Sequence, residues 1–467
     1  MQEFVLPREA KIYCGSKSIS RGKFKSAVYS IFLCSTTSDD FKHEVVPRIA
    51  FDGAFNRRRI HQWYKKPDSR DISLVSMMAY LGNHSATDSR DRIFSVLGLI
   101  TARDRRLIGN PEYGTSTELL FSKLVRSFWN EYGNLDIICF VHLFNRFSGP
   151  TDLGNDNSVP HWVPDWRSTI DFASPVPLMV SQTACKHVGN FRPLKSTTWS
   201  AIYNAPGQMS EKANVTFSEN LRELHCDGVV LDKIHGLGGL DERELRCQSY
   251  ICAREGHSTL QSSEYQHPMP GIDMLATDWM MHIARSLVLD RQDKYLSFHA
   301  PKHYVNDFIR LCQSCLLEEP VDWSFSTWFQ QNKSLRFGNR TLTELITDLP
   351  IETRACRPTL RRALRSQNDF GPEIPDGFLS RFHDTVRKKA RRLMVTSEGI
   401  VGMAPCRARE GDTLAIVFGC NIPLVLREVD QNSYQMIGEG YAHGFMNGEV
   451  TSLLNKGWRS THRFRLI

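Results

Sequence analysis

The C-terminal part of the chain, from residue 391 onward, constrains the fold most, because short apolar runs alternate there with polar turns. The apolar runs cover residues 393–396, 400–403, 413–418, 423–426, 434–437 and 463–467. Short runs separated by turn residues are typical of strands in a small antiparallel barrel or sheet. Residues 391–467 are therefore predicted to form a β module.

Three further regions precede this module. Residues 1–145 favour helices with some strand, residues 146–240 mix loops and strands, and residues 241–390 favour helices. The pattern predicts a mixed α+β fold with a helical middle region and a C-terminal β-barrel or sheet.

Several elements outside the β module can be read from the pattern. A capping box at 115–118 introduces the clearest helix, because an apolar stripe at helical spacing follows it. Residues 11–14 predict a short strand, and residues 135–141 predict a buried strand or a short helix. Residues 224–231 predict a strand that leads into a glycine-rich turn at 236–239.

Composition and charge limit the classes of function. The chain has 467 residues with a formal net charge of +7, which permits an acidic partner but gives no reason to expect nucleic acid. No apolar run is long enough to span a membrane, and Glu3, Pro7 and Glu9 interrupt any signal-peptide pattern. We therefore expect a cytoplasmic protein. The basic run at 387–392 is a solvated helix face, the favoured interpretation, or else a phosphate-binding site or a nuclear-import signal.

The sequence carries no strong metal or cofactor motif. Cys312 and Cys315 have the spacing of half a zinc site, but a second pair is missing, so two buried cysteines on a helix are predicted. The glycines at 236–239 are not followed by a phosphate-loop Lys and Ser or Thr. We therefore expect neither a metal nor a cofactor.

The segment 87–99 combines opposed charges with an apolar face. Thr87 or Asp88 is a candidate helix cap, and Asp91 lies in the first turn, where the helix dipole favours an anion. Arg90 and Arg92 can pair with nearby acids. On local physics the segment predicts a capped helix rather than a binding site.

The segment 161–168 combines two tryptophans with a proline and two charges. The residue before Pro164 is disfavoured in the helical region, which predicts an extended stretch. Trp162 and Trp166 need burial and a partner for each indole N–H, while Asp165 can pair with Arg167. A structural clamp at a core is favoured over a binding site.

A glycine-rich segment at 438–449 is the third unusual feature. His443 and Glu449 could act together as an acid–base pair. A glycine-bent β connection with a structural His443 is the plainer interpretation.

These segments together resemble one family, the fungal heterokaryon-incompatibility (HET) domain proteins. Residues 88–99 resemble the family's DPRDKIYALLGL element, and 163–166 resemble its WVPDW element. Residues 438–449 are similar to its C-terminal GE.YvhGiMdGE pattern. The resemblance marks these residues as family-motif positions: Asp88, Arg90, Asp91, Trp162, Pro164, Asp165, Trp166, Gly438, Glu439, His443, Gly444, Gly448 and Glu449.

The front of the family's domain is not found in this sequence. The elements Y.aLSY.WG and iWiDaiCINQ are missing, while residues 1–7 resemble the R.W.vQE element. The resemblance therefore implies that residues 1–145 are the C-terminal remnant of an α/β HET domain. Glu3 maps onto a family motif near a possible pocket, and it is the candidate catalytic residue that the resemblance adds.

The resemblance implies non-self recognition and programmed cell death, signalled through protein contacts and without enzymatic activity in this form. The alternatives are an NAD hydrolase resembling TIR domains, and an accessory protein of a fungal metabolic gene cluster. Partners are expected to be proteins.

Overall fold

The computed structural model describes residues 2–37, 73–81, 86–144, 159–168, 178–188, 201–239, 272–293, 295–350, 377–387 and 391–467. Its helices are α1 (Gln2–Val5), α2 (Arg21–Thr37), α3 (Leu74–Tyr80), α4 (Asp91–Phe94), α5 (Ala102–Arg106), α6 (Thr117–Tyr132), α7 (Ala276–Leu287), α8 (His303–Leu316), α9 (Trp323–Asn332), α10 (Leu342–Thr347), α11 (Phe378–Phe382) and α12 (Glu449–Asn455). Its 3₁₀ turns are Asp136–His142, Met179–Gln182, Lys186–Val188 and Gly207–Lys212.

The strands form two small hairpins and one large sheet. They are β1 (Lys11–Cys14), β2 (Lys17–Ser20), β3 (Val215–Phe217), β4 (Leu224–Leu237), β5 (Arg336–Phe337), β6 (Arg340–Thr341), β7 (Arg391–Thr396), β8 (Val401–Pro405), β9 (Thr413–Val417), β10 (Leu424–Asp430), β11 (Ser433–Glu439), β12 (Tyr441–Ala442) and β13 (His462–Leu466). Helices together with mainly antiparallel sheets confirm the predicted mixed α+β class.

The large sheet closes into a barrel. Its ring runs β4–β13–β11–β10–β9 and returns to β4, because β4 pairs with β13 along one edge and with β9 along the other. The β11–β13 pairing is parallel, whereas the other pairings of the ring are antiparallel. Beyond the ring, β7, β8 and β12 continue the sheet from the far half of β4.

Strand β4 links the two halves of this sheet and is longer than predicted. The predicted strand at 224–231 is confirmed, but the turn expected at 236–239 is wrong, since β4 continues to Leu237. The continuation pairs with β7, and the Gly238 N–H donates to the Leu393 carbonyl at 2.7 Å. Long-range pairing of this kind leaves no trace in a local pattern.

The barrel closes at Gly228, where β4 and β9 approach closely. A Cβ added there would overlap the Ile416 carbonyl oxygen and would lie 2.9 Å from the Val417 Cα. We expect Gly228→Ala to lower the free energy of unfolding by about 1–3 kcal/mol, because the two strands must separate. Urea denaturation measures this loss.

Gly22→Ala is the matched control for that substitution. Gly22 lies in helix α2 and has open space around its Cα. Alanine there should stabilise the helix by about 0.5–1 kcal/mol. Equal stability of the Gly228→Ala and wild-type proteins would contradict the described closure.

Two local predictions need correction. The helix α6 is capped by Ser116, whose hydroxyl accepts from the Leu119 N–H at 3.3 Å, one residue later than the predicted box. The segment 87–99 forms only the short helix α4, and Arg90 stands at its start without a side-chain cap. Asp88 instead accepts from the Arg90 backbone N–H at 2.9 Å, which makes a turn before the helix.

Other predictions agree with the structure. The run at 135–141 is a buried 3₁₀ helix over Asp136–His142. Cys312 and Cys315 are both buried on helix α8, as predicted.

Apolar side chains of the helices and part of the sheet belong to one core, so the helices and the sheet pack directly on each other. A second apolar cluster, which includes Val229, Ile416 and Val425, lies between strands of the sheet.

Candidate functional site

A buried polar joint connects the helical part to the barrel. Asp136, at the start of the 3₁₀ helix after α6, is fully buried and faces Asn421 in the loop between β9 and β10. Its carboxylate accepts from the Asn421 backbone N–H at 2.7 Å and side-chain amide at 2.8 Å, and from the Thr183 hydroxyl at 2.8 Å. One carboxylate thus holds three separate segments together.

A second carboxylate completes this joint. Glu439, at the end of β11, is fully buried and pairs with the guanidinium of Arg391, which is also buried. The same carboxylate accepts from the backbone N–H groups of Met179 and Val180, at 3.2 and 3.4 Å. A buried charge persists only when it is paired and hydrogen-bonded in this way. We call Asp136, Thr183, Asn421, Arg391 and Glu439 the polar joint.

Two cysteine thiols lie beside the polar joint. The Sγ atoms of Cys139 and Cys420 are 3.5 Å apart, and both side chains are buried. Burial and the neighbouring Cys420 thiol raise the pKa of Cys139, so it stays a thiol at neutral pH. These cysteines fill space between the helical part and the barrel.

Burial raises the pKa of Asp136 to about 6, although hydrogen bonds from Asn421 and Thr183 act in the opposite direction. The folded protein therefore favours the protonated carboxyl more than the unfolded chain does. The stability from this group is complete below about pH 4 and is lost as the pH rises through 6. We expect the free energy of unfolding to fall by up to about 3 kcal/mol over this range on account of Asp136.

Asp136→Asn isolates that contribution, because the amide has the same shape and no charge. The unfolding free energy of the wild type minus that of Asp136→Asn should be larger at pH 4 than at pH 7. Urea denaturation at both pH values measures the difference. A difference that stays constant with pH would show that Asp136 does not titrate as described.

The first family-motif segment fixes a loop. Asp88 pairs with the Arg90 guanidinium at 2.7 Å, and Arg90 also donates to the Thr115 carbonyl at 3.0 Å. The Tyr113 hydroxyl donates to Asp91 at 2.6 Å. These motif charges are therefore engaged with each other and with the loop that precedes α6.

The second segment is a series of turns that bridges the helices and the barrel. The predicted extended stretch is wrong, since the backbone N–H of Trp166 donates to the carbonyl of Pro164 at 3.1 Å. Trp162 donates its indole N–H to the Arg222 carbonyl at 3.3 Å and packs against Phe217 of β3. Trp166 packs edge-on against Phe121 of α6. Trp162 thus packs against the large sheet, and Trp166 packs against helix α6.

The charges of these two segments meet. Asp165 holds the Arg167 guanidinium at 2.9 and 3.0 Å, and Arg167 reaches Glu118 of α6 at 3.3 Å. Arg92 of the first segment donates to the Ser168 carbonyl at 3.2 Å. Burial lowers the pKa of Arg92, and the charge of Asp165 partly opposes this.

The third segment separates the predicted acid–base pair. His443 shares a 3.2 Å hydrogen bond with the Tyr441 hydroxyl, and its ring lies 4.5 Å from the ring of His282. Burial, and then His282, lower the pKa of His443 to about 4. Glu449 instead accepts from the Asn447 N–H at 2.7 Å. His443 is therefore neutral at pH 7 and packs against helix α7.

Two of the motif glycines, Gly438 and Gly448, allow close approaches, whereas Gly444 has open space around its Cα. Gly438, Gly444 and Gly448 have positive φ angles. At Gly448 a Cβ would lie 2.9 Å from the Gly207 Cα, so this pair brings the start of α12 against the 3₁₀ turn Gly207–Lys212. Their role in the structure is conformational.

The candidate catalytic Glu3 is exposed on the first turn of α1. A backbone hydrogen bond is the largest of the effects that lower its pKa. A general acid working near neutral pH needs the opposite shift. Its catalytic role stays a prediction.

The basic run at 387–392 is not a uniform surface patch. Arg391 and Arg392 are buried, and Arg392 donates to the carbonyls of Gly238 at 2.7 Å and Ala408 at 3.3 Å. Because both side chains are buried, the predictions of a solvated face or an import signal are wrong for these two arginines. Residues 388–390 lie outside the described residues.

Most residues of the polar joint were not predicted from the sequence. A signal for Asp136 existed, because it is the one acidic residue within the apolar run 135–141. Arg391 was hidden in the basic run, and Asn421 and Thr183 carry no pattern. In the described ranges, no group of three or more His, Cys, Asp or Glu side chains could hold a metal ion. No described helix is long and apolar enough to cross a membrane.

Comparison with known proteins agrees with this architecture. Residues 378–457 match the Het-6 β-barrel domain. The matched range covers β7 to α12, whereas β4 and β13 of the closed ring lie outside it.

The chain is also similar to heterokaryon incompatibility protein 6, OR allele, of Neurospora crassa, at 22% identity over 96% of this chain. The chain spans 63% of the length of that relative. No solved structure shows a significant match. The barrel match and the relative agree with the motif segments, and together they support the resemblance of this chain to fungal proteins of the heterokaryon-incompatibility type.

Proposed function

We propose that this chain signals in non-self recognition and programmed cell death through protein contacts, without catalysis of its own. The polar joint is the observation that carries the proposal. The conspicuous buried acids, Asp136 and Glu439, are engaged with partners inside the fold, so neither faces a substrate. The similarity to the Neurospora protein, named for heterokaryon incompatibility, supports the direction of the proposal.

The other motif residues support the same view. Asp165 is taken up by Arg167, and His443 is held neutral against His282. These contacts stabilise the fold, and its surface is then available for contacts with other proteins. In this role the protein would lie in the cytoplasm, where the contents of fused hyphae mix. We also propose the division at residues 145, 240 and 390, with β4 from the second region completing the ring of the C-terminal module.

A hyphal fusion assay tests the proposal. Hyphae that express this chain are fused with hyphae that do not, and uptake of a vital dye reports death of the fusion cells. We expect dye uptake that depends on the chain. Fusion cells that stay viable at full expression would contradict the role in cell death.

A second assay tests the absence of catalysis. Purified chain is incubated with NAD, and released nicotinamide is quantified by chromatography. We expect no release above buffer. Turnover that disappears in Glu3→Ala would replace the proposal with the NAD hydrolase alternative.

A further inference from the structure

Strand pairing along one edge of β4 has a gap, which we call the seam. On one edge β4 pairs with β13 as far as Gly228, and with β7 from Ile234 onward. Between these points, no strand among the described residues pairs with that edge over Val229–Asp232. Four residues of strand span about 13 Å. Val229 and Leu231 are buried, so the exposed part of this stretch consists of Val230 and Asp232, next to the exposed Lys233.

A cleft of about 480 Å³ lies at this seam. Its walls come from β4, from the turn between β7 and β8, and from the loop between α12 and β13. The lining residues include Leu231, Asp232, Glu398, Trp458 and Arg459. A cleft of this size can hold a short peptide segment or a comparable ligand.

The guanidinium of Arg459 is positioned in the seam. It donates to the Leu231 carbonyl at 3.0 Å, and it also pairs with the Glu398 carboxylate. Glu398 is 59% exposed, so this ion pair contributes little to folding. A carboxylate from another molecule could therefore replace Glu398 at small cost, since guanidinium binds carboxylates in a matching fork geometry.

The other charges at the seam are already paired. Asp232 accepts from the N–H groups of Lys233 at 2.8 Å and Glu398 at 2.5 Å, and Lys233 reaches Glu428 at 3.5 Å. Trp458 stays 64% exposed beside the cleft, with the Lys456 ammonium 4.6 Å from its ring centre. An exposed tryptophan beside a cation provides an apolar contact for a bound chain and attraction for an acid.

We propose that the cleft at this seam binds an extended acidic peptide segment of a partner protein, which places an acidic side chain on Arg459 in place of Glu398. Arg459 pairs with the acidic side chain of the peptide, and Trp458 supplies an apolar contact beside it. This inference rests on the proposed function, because it names the kind of partner surface through which the chain would signal.

Selection from a phage-displayed library of random heptapeptides on the immobilised full chain tests the inference. We expect enriched peptides to carry Asp or Glu within a β-branched or aromatic run. A selection without enrichment, or enrichment of basic peptides, would overturn the inference.

Variants then locate the binding of an enriched peptide, measured by fluorescence anisotropy. Arg459→Ala should weaken binding about tenfold or more, through loss of a charge-assisted hydrogen bond. Glu398→Gln should strengthen binding, because it removes the competing carboxylate. Trp458→Ala should weaken binding, whereas Trp323→Ala, which removes a tryptophan exposed to 65% on helix α9, should not.

Unchanged affinity in Arg459→Ala, or weaker binding in Glu398→Gln, would overturn the inference. All four variants change exposed or half-buried side chains, so circular dichroism should show the wild-type fold in each. The hyphal fusion assay separates the two proposals. Loss of dye uptake in Arg459→Ala supports both the proposed function and the peptide site. Peptide binding without any death of fusion cells rejects only the proposed function.

Discussion

Glu439→Gln is expected to lower the free energy of unfolding by about 3–5 kcal/mol, because it leaves a buried guanidinium without a counter-charge. Glu439 is fully buried, and Arg391 is 1% exposed. The amide of glutamine would also present a donor either to Arg391 or to the N–H groups of Met179 and Val180, which are donors themselves. Urea denaturation followed by tryptophan fluorescence measures the loss.

Glu449→Gln is the matched control from the same motif. Glu449 is half-buried and accepts hydrogen bonds from Asn447. Its substitution should cost less than about 1 kcal/mol. A double variant, Glu439→Leu with Arg391→Met, should lose less stability than the sum of the single changes, since no buried charge remains. Equal effects of Glu439→Gln and Glu449→Gln would contradict the polar joint.

Trp166→Ala should also lower the free energy of unfolding by about 3–5 kcal/mol, through loss of a fully buried aromatic side chain. Trp166 is 1% exposed, and its ring centre lies 5.2 Å from that of Phe121 at an angle of 89°. The cavity would open between helix α6 and the turns at 161–168. Differential scanning calorimetry measures the loss.

Phenylalanine variants separate the two motif tryptophans. No described residue accepts a hydrogen bond from the Trp166 indole, so Trp166→Phe loses packing volume alone. Trp162→Phe also leaves the Arg222 carbonyl without its donor. We expect Trp162→Phe to be the more destabilising of the two. Trp458→Ala, at an exposed tryptophan, should stay within about 0.5 kcal/mol of wild type.

Much of the barrel was predictable, because each strand carries its own local pattern. Residues 413–418 and 434–437 were identified closely, as β9 and β11 show. Which strands pair was not predictable, since pairing depends on contacts between distant segments. The closure of the ring by β4 and the parallel pairing of β11 with β13 are of this kind.

The functional residues were less readable than the fold. The motif segments pointed to the family, and the clamp interpretation of Trp162 agrees with its contacts to Arg222 and Phe217. Most of the polar joint could not be predicted from the sequence, because a buried acid and its partner from a distant segment look like ordinary surface charges there. Arg391 illustrates this, since its basic neighbours suggested an exposed run.

The central claim is that the motif carboxylate Glu439 holds the 3₁₀ turn Met179–Gln182 onto the large sheet, and that Thr183 links this turn to Asp136. Hydrogen–deuterium exchange of Glu439→Gln, followed by mass spectrometry, tests it most directly. We predict faster exchange at Met179 and Val180, which lose their acceptor, and faster exchange in 135–142, which meets the same joint. Faster exchange confined to the barrel strands, with 178–183 protected as in wild type, would contradict the claim.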